Sequence, residues 1–132
     1  MKSRTLSLTL IFTALLLVLV ACSFSTARIE DAWMSSDAEG SNRTTTFSQD
    51  AVFYAQVDLR NAPDDTQLKA SWIAVQAEGA DPNFVIQETD FTTGSGMVNF
   101  ELSNTNLWPT GSYKVDIYMN GELAKTLEFT VQ

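Results

Sequence analysis

Apolar and polar residues alternate with a period of two along most of the chain after residue 27, and the clearest case is residues 112–131. The alternation holds on both sides of Asn120-Gly121, a dipeptide that suits a type I′ turn because both central residues need positive φ. The apolar positions are Tyr113, Val115, Ile117, Met119, Leu123, Leu127, Phe129 and Val131. The pattern predicts a β-hairpin with all of these side chains directed into a core.

The same reading predicts about seven strands in all. They lie near residues 28–34, 46–59, 67–77, 84–91, 96–102, 112–119 and 122–131. Turn-forming residues such as Asn61-Ala62-Pro63 and Gly94-Ser95-Gly96 separate them. The segment 67–77 is apolar on both faces, which predicts a central strand. No helical periodicity follows residue 21, so the predicted fold class is all-β: a single antiparallel β-sandwich in residues 28–132.

Two aromatic residues and two segments resemble the immunoglobulin-like domains of exported bacterial proteins. Trp72 lies on the third predicted strand and Tyr113 begins the sixth. Residues 108–129 resemble the closing hairpin of such domains, and TFSQDAVFYAQVDL with LKASWIAV resembles their second and third strands. The resemblance implies an immunoglobulin-like sandwich with Trp72 in its core and Tyr113 bonded to upstream backbone. The paired core cysteines of antibody-type domains are absent from the sequence.

The N-terminus has the three parts of a secretory signal peptide. Lys2 and Arg4 form a basic start, Leu6–Val20 is an apolar run, and the small residue Ala21 precedes Cys22. The run is shorter than the roughly 20 residues that a membrane-spanning helix needs. Residues 1–21 are therefore predicted to be a signal helix that is removed.

Leu19-Val20-Ala21-Cys22 resembles the lipobox of bacterial lipoproteins. The resemblance implies cleavage between Ala21 and Cys22, a diacylglycerol on the Cys22 sulfur and an acylated new amino terminus. Several acyl chains hold a protein on a bilayer stably, whereas one holds it marginally. Residues 22–27 would then be a short tether, and residues 28–132 a domain anchored at the cell membrane or outer membrane on the extracytoplasmic side. The alternatives are an ordinary cleaved signal with an incidental cysteine, or an uncleaved anchor.

The charge and the missing residue types exclude several function classes. The net charge is −8, and after removal of residues 1–21 six basic and 16 acidic residues leave −10. Such acidity argues against nucleic acid as a partner. The chain has no histidine and one cysteine, which excludes most nucleophile–base arrangements and zinc sites built on His and Cys. We predict no catalytic residues, no cofactor and no metal.

Carboxylates offer the remaining chemistry. Paired acids that could serve a glycosidase-like enzyme are Glu30-Asp31, Asp64-Asp65, Glu88 with Asp90, and Asp37 with Glu39. Calcium is a candidate ligand of Asp64-Asp65 and of Asp81-Pro82-Asn83, since both stretches supply oxygen atoms. Neither has the spacing of a dedicated calcium loop, and the same residue types commonly begin turns.

The leading hypothesis is a non-enzymatic, membrane-anchored immunoglobulin-like module that binds another protein at the cell envelope. The candidate partner surface is the outward side of the last hairpin, with Tyr118 among Asp116, Lys114 and Glu128. The alternative is a carbohydrate-binding module, which requires two or three aromatic residues exposed in line, with Trp33, Trp72 and Trp108 as the candidates. A carboxylate-based enzyme is the third hypothesis.

Overall fold

The computed structural model describes residues 26–132. The predicted signal helix, the cleavage site between Ala21 and Cys22 and the lipidation of Cys22 lie outside the described residues. The described part consists of eight strands: β1 Arg28–Ser35, β2 Thr46–Phe47, β3 Phe53–Arg60, β4 Thr66–Ala77, β5 Phe84–Thr93, β6 Gly96–Leu102, β7 Gly111–Met119 and β8 Glu122–Val131. No helix among residues 26–132 is long and apolar enough to cross a membrane.

The strands form two sheets, so the predicted all-β sandwich is confirmed. One sheet has the order β1-β3-β6 and the other the order β2-β8-β7-β4-β5. Neighbouring strands are antiparallel except for β2, which runs parallel to the end of β8. The two sheets therefore differ in width, since three strands face five.

The segment predicted as one strand over 46–59 is two strands in different sheets. The backbone turns at Ser48, where the Ala51 N–H donates to the Ser48 carbonyl at 3.1 Å. The Ser48 hydroxyl also donates to Asp50 at 2.6 Å. This turn lets β2 join the five-stranded sheet while β3 joins the three-stranded one.

The core is built around aromatic rings contributed by both sheets. Phe53 is fully buried and stacks on Trp108, with their ring centroids 4.8 Å apart. Trp72 is also fully buried, as predicted. The Tyr113 hydroxyl donates to the Pro109 carbonyl at 2.6 Å, which is the upstream backbone bond that the resemblance implied.

The last hairpin confirms its predicted turn but not all of its predicted parity. Asn120 and Gly121 have φ values of 50° and 82°, the positive pair that a type I′ turn requires. Ile117 lies opposite Lys125 and Tyr118 opposite Leu123, so Ala124 is an extra residue in β8. A bulge of this kind reverses the side on which the preceding residue lies. The prediction that Leu123 points inward was therefore wrong: it lies on the outer face beside Tyr118 and is 56% exposed.

The strand registers define two ends of the sandwich. Arg28 pairs with Arg60, and Leu59 pairs with Gly96. The start of β1 therefore lies at the same end as the turns that follow β3 and β5, and we call this end the base. The loops 78–83 and 103–110 lie at the opposite end, which we call the far end, about 25 Å away for a strand of eight residues.

Candidate functional site

The predicted partner surface lies on the outer face of the five-stranded sheet, and its charges are paired with one another. Lys114 Nζ is 3.3 Å from Asp116 Oδ2. Asp116 also accepts a hydrogen bond from the Thr126 hydroxyl at 2.7 Å and is only 5% exposed. Glu128 lies directly opposite Lys114 on the neighbouring strand. Lys114 and Asp116 therefore already have partners within the fold.

Tyr118 adds a small apolar area to this surface. Lys69 Nζ sits 4.6 Å from the centre of the Tyr118 ring, within the range of a cation–π contact. The same ammonium group is 3.4 Å from Glu88. Leu123 lies across from Tyr118 because of the bulge. Partner binding here stays a prediction, based on one half-buried aromatic ring and one exposed leucine.

The three tryptophans do not form a common exposed platform. Trp72 and Trp108 are buried in the core. The Trp108 indole N–H donates to the Ala51 carbonyl at 2.9 Å. Trp33 is half-buried on the other sheet, where its indole N–H donates to the Gly40 carbonyl at 3.0 Å and the Arg43 guanidinium lies 3.9 Å from its ring. The tryptophan ladder that a carbohydrate-binding module requires is thus absent from residues 26–132.

The carboxylates proposed as acid–base pairs lie in surface ion pairs and turns. Glu30 contacts Arg28 at 2.9 Å and Asp31 contacts Arg43 at 3.1 Å. In the loop after β1, hydrogen bonds from the Ser35 hydroxyl and the Asn42 backbone N–H lower the pKa of Asp37 to about 2. A general acid needs the opposite shift, because it must stay protonated near neutral pH.

The two candidate calcium stretches lie at opposite ends of the molecule. Asp64-Asp65 is in the turn before β4, at the base, and Asp81-Pro82-Asn83 follows β4 at the far end. A strand of 12 residues separates them, about 40 Å at the usual rise. No group of three or more acidic, histidine or cysteine side chains is placed to hold a metal ion in the part of the chain that the structure describes.

The sequence analysis missed a surface between β5 and β6. Each of these strands is one of the two free edges of its sheet. Phe84 lies opposite Ala74 and Phe91 opposite Leu68, so both point toward the space between the sheets. They are nevertheless 53% and 49% exposed, because the three-stranded sheet ends at β6 and nothing faces β5. We call the space bounded by β5, β6 and the loop 103–110 the β5–β6 cleft.

The β5–β6 cleft has a polar part and an apolar part. The polar part, about 360 Å³, lies between Gln87 and Thr89 of β5 and Asn99 and Glu101 of β6. The apolar part, about 180 Å³, is at the far end. Its lining includes Ala74, Ala80, Phe84, Ile86, Trp108 and Pro109. Leu107, in the loop that borders this end, is 64% exposed.

Glu101 is the one charged side chain among the residues that line the two parts of the cleft. Residues 70–113, which include β5, β6 and the loops at the far end, contain no lysine or arginine and five carboxylates. Glu101 lines the cleft and is in none of the ion pairs found among residues 26–132. This run without basic residues was the signal in the sequence that could have identified the cleft as a distinct surface.

No protein-family model matches the chain, and no curated protein matches it. Several solved structures are similar in fold. An immunoglobulin-like protein from Pseudomonas aeruginosa has a TM-score of 0.58 and 12% identity, over 83% of this chain and 99% of that one. The alkylpurine DNA glycosylase AlkC from Pseudomonas fluorescens has a TM-score of 0.54 and 13% identity, over 89% of this chain. A β-glucosidase from Listeria innocua has a TM-score of 0.50 and 15% identity, over 80%.

The region similar to this chain makes up a different fraction of each of these proteins. It covers 33% of the glycosylase and 16% of the glucosidase, so in both enzymes the similar part is a fraction of a longer chain. At these identities the similarity concerns the fold alone. The chain has an immunoglobulin-like β-sandwich fold.

Proposed function

We propose that this protein is a non-enzymatic lipoprotein, an immunoglobulin-like module that is held by lipid on Cys22 at the extracytoplasmic face of the cell membrane or outer membrane and binds another envelope protein. The observation that carries the binding function is the β5–β6 cleft. Phe84, Phe91 and Leu107 are three of the large apolar residues exposed in the described part, and all three border it. Exposed apolar side chains grouped beside a pocket are typical of a binding site.

The position of the N-terminus supports the tether. β1 begins at Arg28, so five residues, spanning at most about 17 Å, separate Cys22 from the fold. Because Arg28 is at the base, a lipid on Cys22 would place the base next to the bilayer. The apolar part of the cleft would then face away from the membrane, where a partner has access to it.

Intact-mass measurement tests the tether. The protein extracted from membranes is expected to have the mass of residues 22–132 plus several acyl chains, and the Cys22→Ala variant is expected to lack both the lipid and the membrane association. An unmodified mass starting at residue 22 or earlier would contradict the lipoprotein proposal.

Photo-crosslinking in cells tests the binding function separately. A crosslinking amino acid at position 107 is expected to give a product of discrete mass with an envelope protein. The same amino acid at position 118 tests the surface predicted from the sequence, and at position 39, exposed in the loop after β1, it serves as the control. Equal yields of one product at all three positions, or no product at 107 and 118, would contradict specific binding.

A further inference from the structure

We infer that the β5–β6 cleft binds an extended, basic segment of a partner protein, which pairs with β6 as a fourth strand of the three-stranded sheet and places an apolar side chain in the pocket beside Phe84. This inference rests on the proposed binding function and specifies its site and the chemistry of its partner. A second copy of the chain is the occupant that the charges disfavour.

The edges of the two sheets differ in how they are protected against strand pairing. Natural proteins protect edges with bulges, short strands, proline or lysine. β1 has a bulge between Ile29 and Asp31, and β5 has one between Val85 and Gln87. β2 has only two residues. β6 pairs with β3 in unbroken register over seven residues and contains neither proline nor lysine. β6 is therefore the edge with backbone N–H and C=O groups best placed to pair with another chain.

The difference in sheet width provides a place for the added strand. A strand on the free edge of β6 would lie about 4.8 Å beyond it, which is within the cleft. There it would face the inner side of β5, where Phe84 and Phe91 have no opposing strand. The added strand would thus supply the layer that β5 lacks and remove both rings from water, which is the hydrophobic contribution expected of strand addition.

The charge of the cleft determines the chemistry of the occupant. Both walls come from residues 70–113, which contain no basic side chain; of their five carboxylates Glu101 lines the cleft, whereas Glu88 is paired with Lys69. A segment with lysine or arginine would neutralise Glu101, which is on the edge strand β6 and among the residues that line the polar part of the cleft. Pairing of β6 with β6 of a second copy would instead bring together two strands whose one charged residue is Glu101, which is repulsive.

Peptide binding to the purified full chain in detergent solution tests the inference. The probe is a nine-residue peptide that alternates lysine with valine and phenylalanine. The comparison peptides replace every lysine with glutamate, or carry N-methyl groups on one or the other set of alternate residues. We expect the lysine peptide to bind at least about tenfold more tightly than the glutamate peptide at low salt. One of the two N-methylated peptides should lose binding, because its amides can no longer pair with β6.

Matched variants locate the site. Glu101→Lys is expected to weaken binding of the lysine peptide about fivefold, whereas Glu122→Lys, the same charge change at the base, should alter it less than about twofold. Phe84→Ser should weaken binding about tenfold, and Leu123→Ser, a residue of similar exposure on the outer face, should leave it unchanged. Hydrogen exchange should slow at the amides of residues 97–101 when the peptide is bound, and not in β1.

Several results would overturn the inference. They are no binding of the lysine peptide, equal binding of both N-methylated peptides, equal effects of Glu101→Lys and Glu122→Lys, or a dimer of the chain that protects β6 without peptide. Any of these together with a persistent crosslink at position 107 would refute the strand-pairing inference and leave the binding function standing. Loss of the crosslinks at 107 and 118 would refute the binding function itself.

Discussion

The chain crosses between the two sheets five times, and two of these crossings, which join edge strands on opposite sides of the sandwich, differ in length. From β1 to β2 it uses residues 36–45, and from β5 to β6 only Gly94 and Ser95. The long crossing lies over the outer face of the three-stranded sheet, where Gln56 Nε2 donates to the Ala38 carbonyl at 2.9 Å. None of the large apolar residues exposed in residues 26–132 lies on β1, β2 or this loop.

The short crossing, Gly94-Ser95, has too few residues to cover the space between β5 and β6. Two linking residues span about 10 Å, which is the distance between two packed sheets. The cleft on the β1–β8 side, about 490 Å³, has a mixed lining of polar and apolar residues: Thr44, Thr45, Thr126, Arg43 and Glu128 with Ala32, Trp33, Met34 and Leu127. The β5–β6 cleft is lined at the far end by aromatic and aliphatic side chains. Exposure of inward-pointing residues here therefore follows from the connections and the sheet widths.

A substitution in the core that both sheets share should lower the free energy of unfolding more than one in the β5–β6 cleft. Phe53 is fully buried, with its ring among those of Phe47, Trp72, Trp108 and Phe129. Phe53→Ala should lower the free energy of unfolding by about 4 kcal/mol, since it removes a buried ring and leaves a cavity. Denaturant unfolding measures this. A loss below about 1 kcal/mol would mean that the aromatic cluster is not the centre of the core.

The corner tyrosine at the far end should give an intermediate effect. Tyr113→Phe removes the hydroxyl that donates to the Pro109 carbonyl and leaves that acceptor without its partner. We expect a loss of about 1–2 kcal/mol in the free energy of unfolding. Tyr54→Phe is the control, because no hydrogen bond of the Tyr54 hydroxyl is found among residues 26–132.

The same residue predicts a dependence on alkaline pH. Burial raises the pKa of Tyr113 above its usual value near 10.0. The neutral phenol is therefore favoured by folding, and its contribution to stability is complete below pH 10 and is lost as the pH rises through the raised pKa. Wild-type stability should approach that of Tyr113→Phe above pH 10. A stability difference that stays constant to pH 12 would contradict this prediction.

The rings of the cleft should matter less to stability than those of the core. Phe84→Ala removes a side chain that is already half exposed, so the expected loss in the free energy of unfolding is about 1 kcal/mol or less. Leu123→Ala is the matched control on the outer face. A loss as large as that of Phe53→Ala would show that the β5–β6 cleft is closed in solution and would weaken its assignment as a binding site.

The sequence sufficed for most of the fold, because period-two alternation reports directly on strands that have a sheet on one side and water on the other. The resemblance to immunoglobulin-like domains also identified Trp72 as a core residue and Tyr113 as a tyrosine bonded to upstream backbone. The sequence analysis failed at Leu123, since a bulge depends on how two strands pair and leaves little trace in either strand alone. It failed at residues 48–52, because the polar run Ser48-Gln49-Asp50 interrupts the alternation at the turn that moves the chain to the other sheet, and the prediction read one strand through it.

The candidate site was harder to predict for the same physical reason. Phe84 and Phe91 have ordinary strand patterns, and only the sheet order shows that nothing covers them. Tyr118 is half-buried, with the Lys69 ammonium 4.6 Å from the centre of its ring. The pairing of Asp116 with Lys114 and Thr126 requires the register between β7 and β8, which side-chain type does not indicate.

The smallest change in stability is expected in the loop 36–45, which is the long crossing from β1 to β2. The Asp37 carboxylate accepts hydrogen bonds from Ser35 and from the backbone N–H groups of Ser41 and Asn42, and its pKa is lowered from 3.8 to about 2. Its contribution is therefore complete above pH 4 and is lost as the pH falls from about 4 to about 2. Wild-type protein should melt above Asp37→Asn at pH 6, and the two should converge near pH 2.

Glu39→Gln, which removes an exposed charge from the same loop, separates the hydrogen-bonding effect from a general charge effect. Quenching of Trp33 fluorescence, measured in a Trp72→Phe, Trp108→Phe background that still folds, should rise in Asp37→Asn, because the loop holds the Trp33 indole through Gly40. If the melting difference persists unchanged to pH 2, the carboxylate does not fix the loop. The side formed by β1, β2 and the loop 36–45 would then be covered mainly through β2 and the hydrogen bonds of Gln56. The length of this crossing would explain less of the difference in exposure from the β5–β6 cleft.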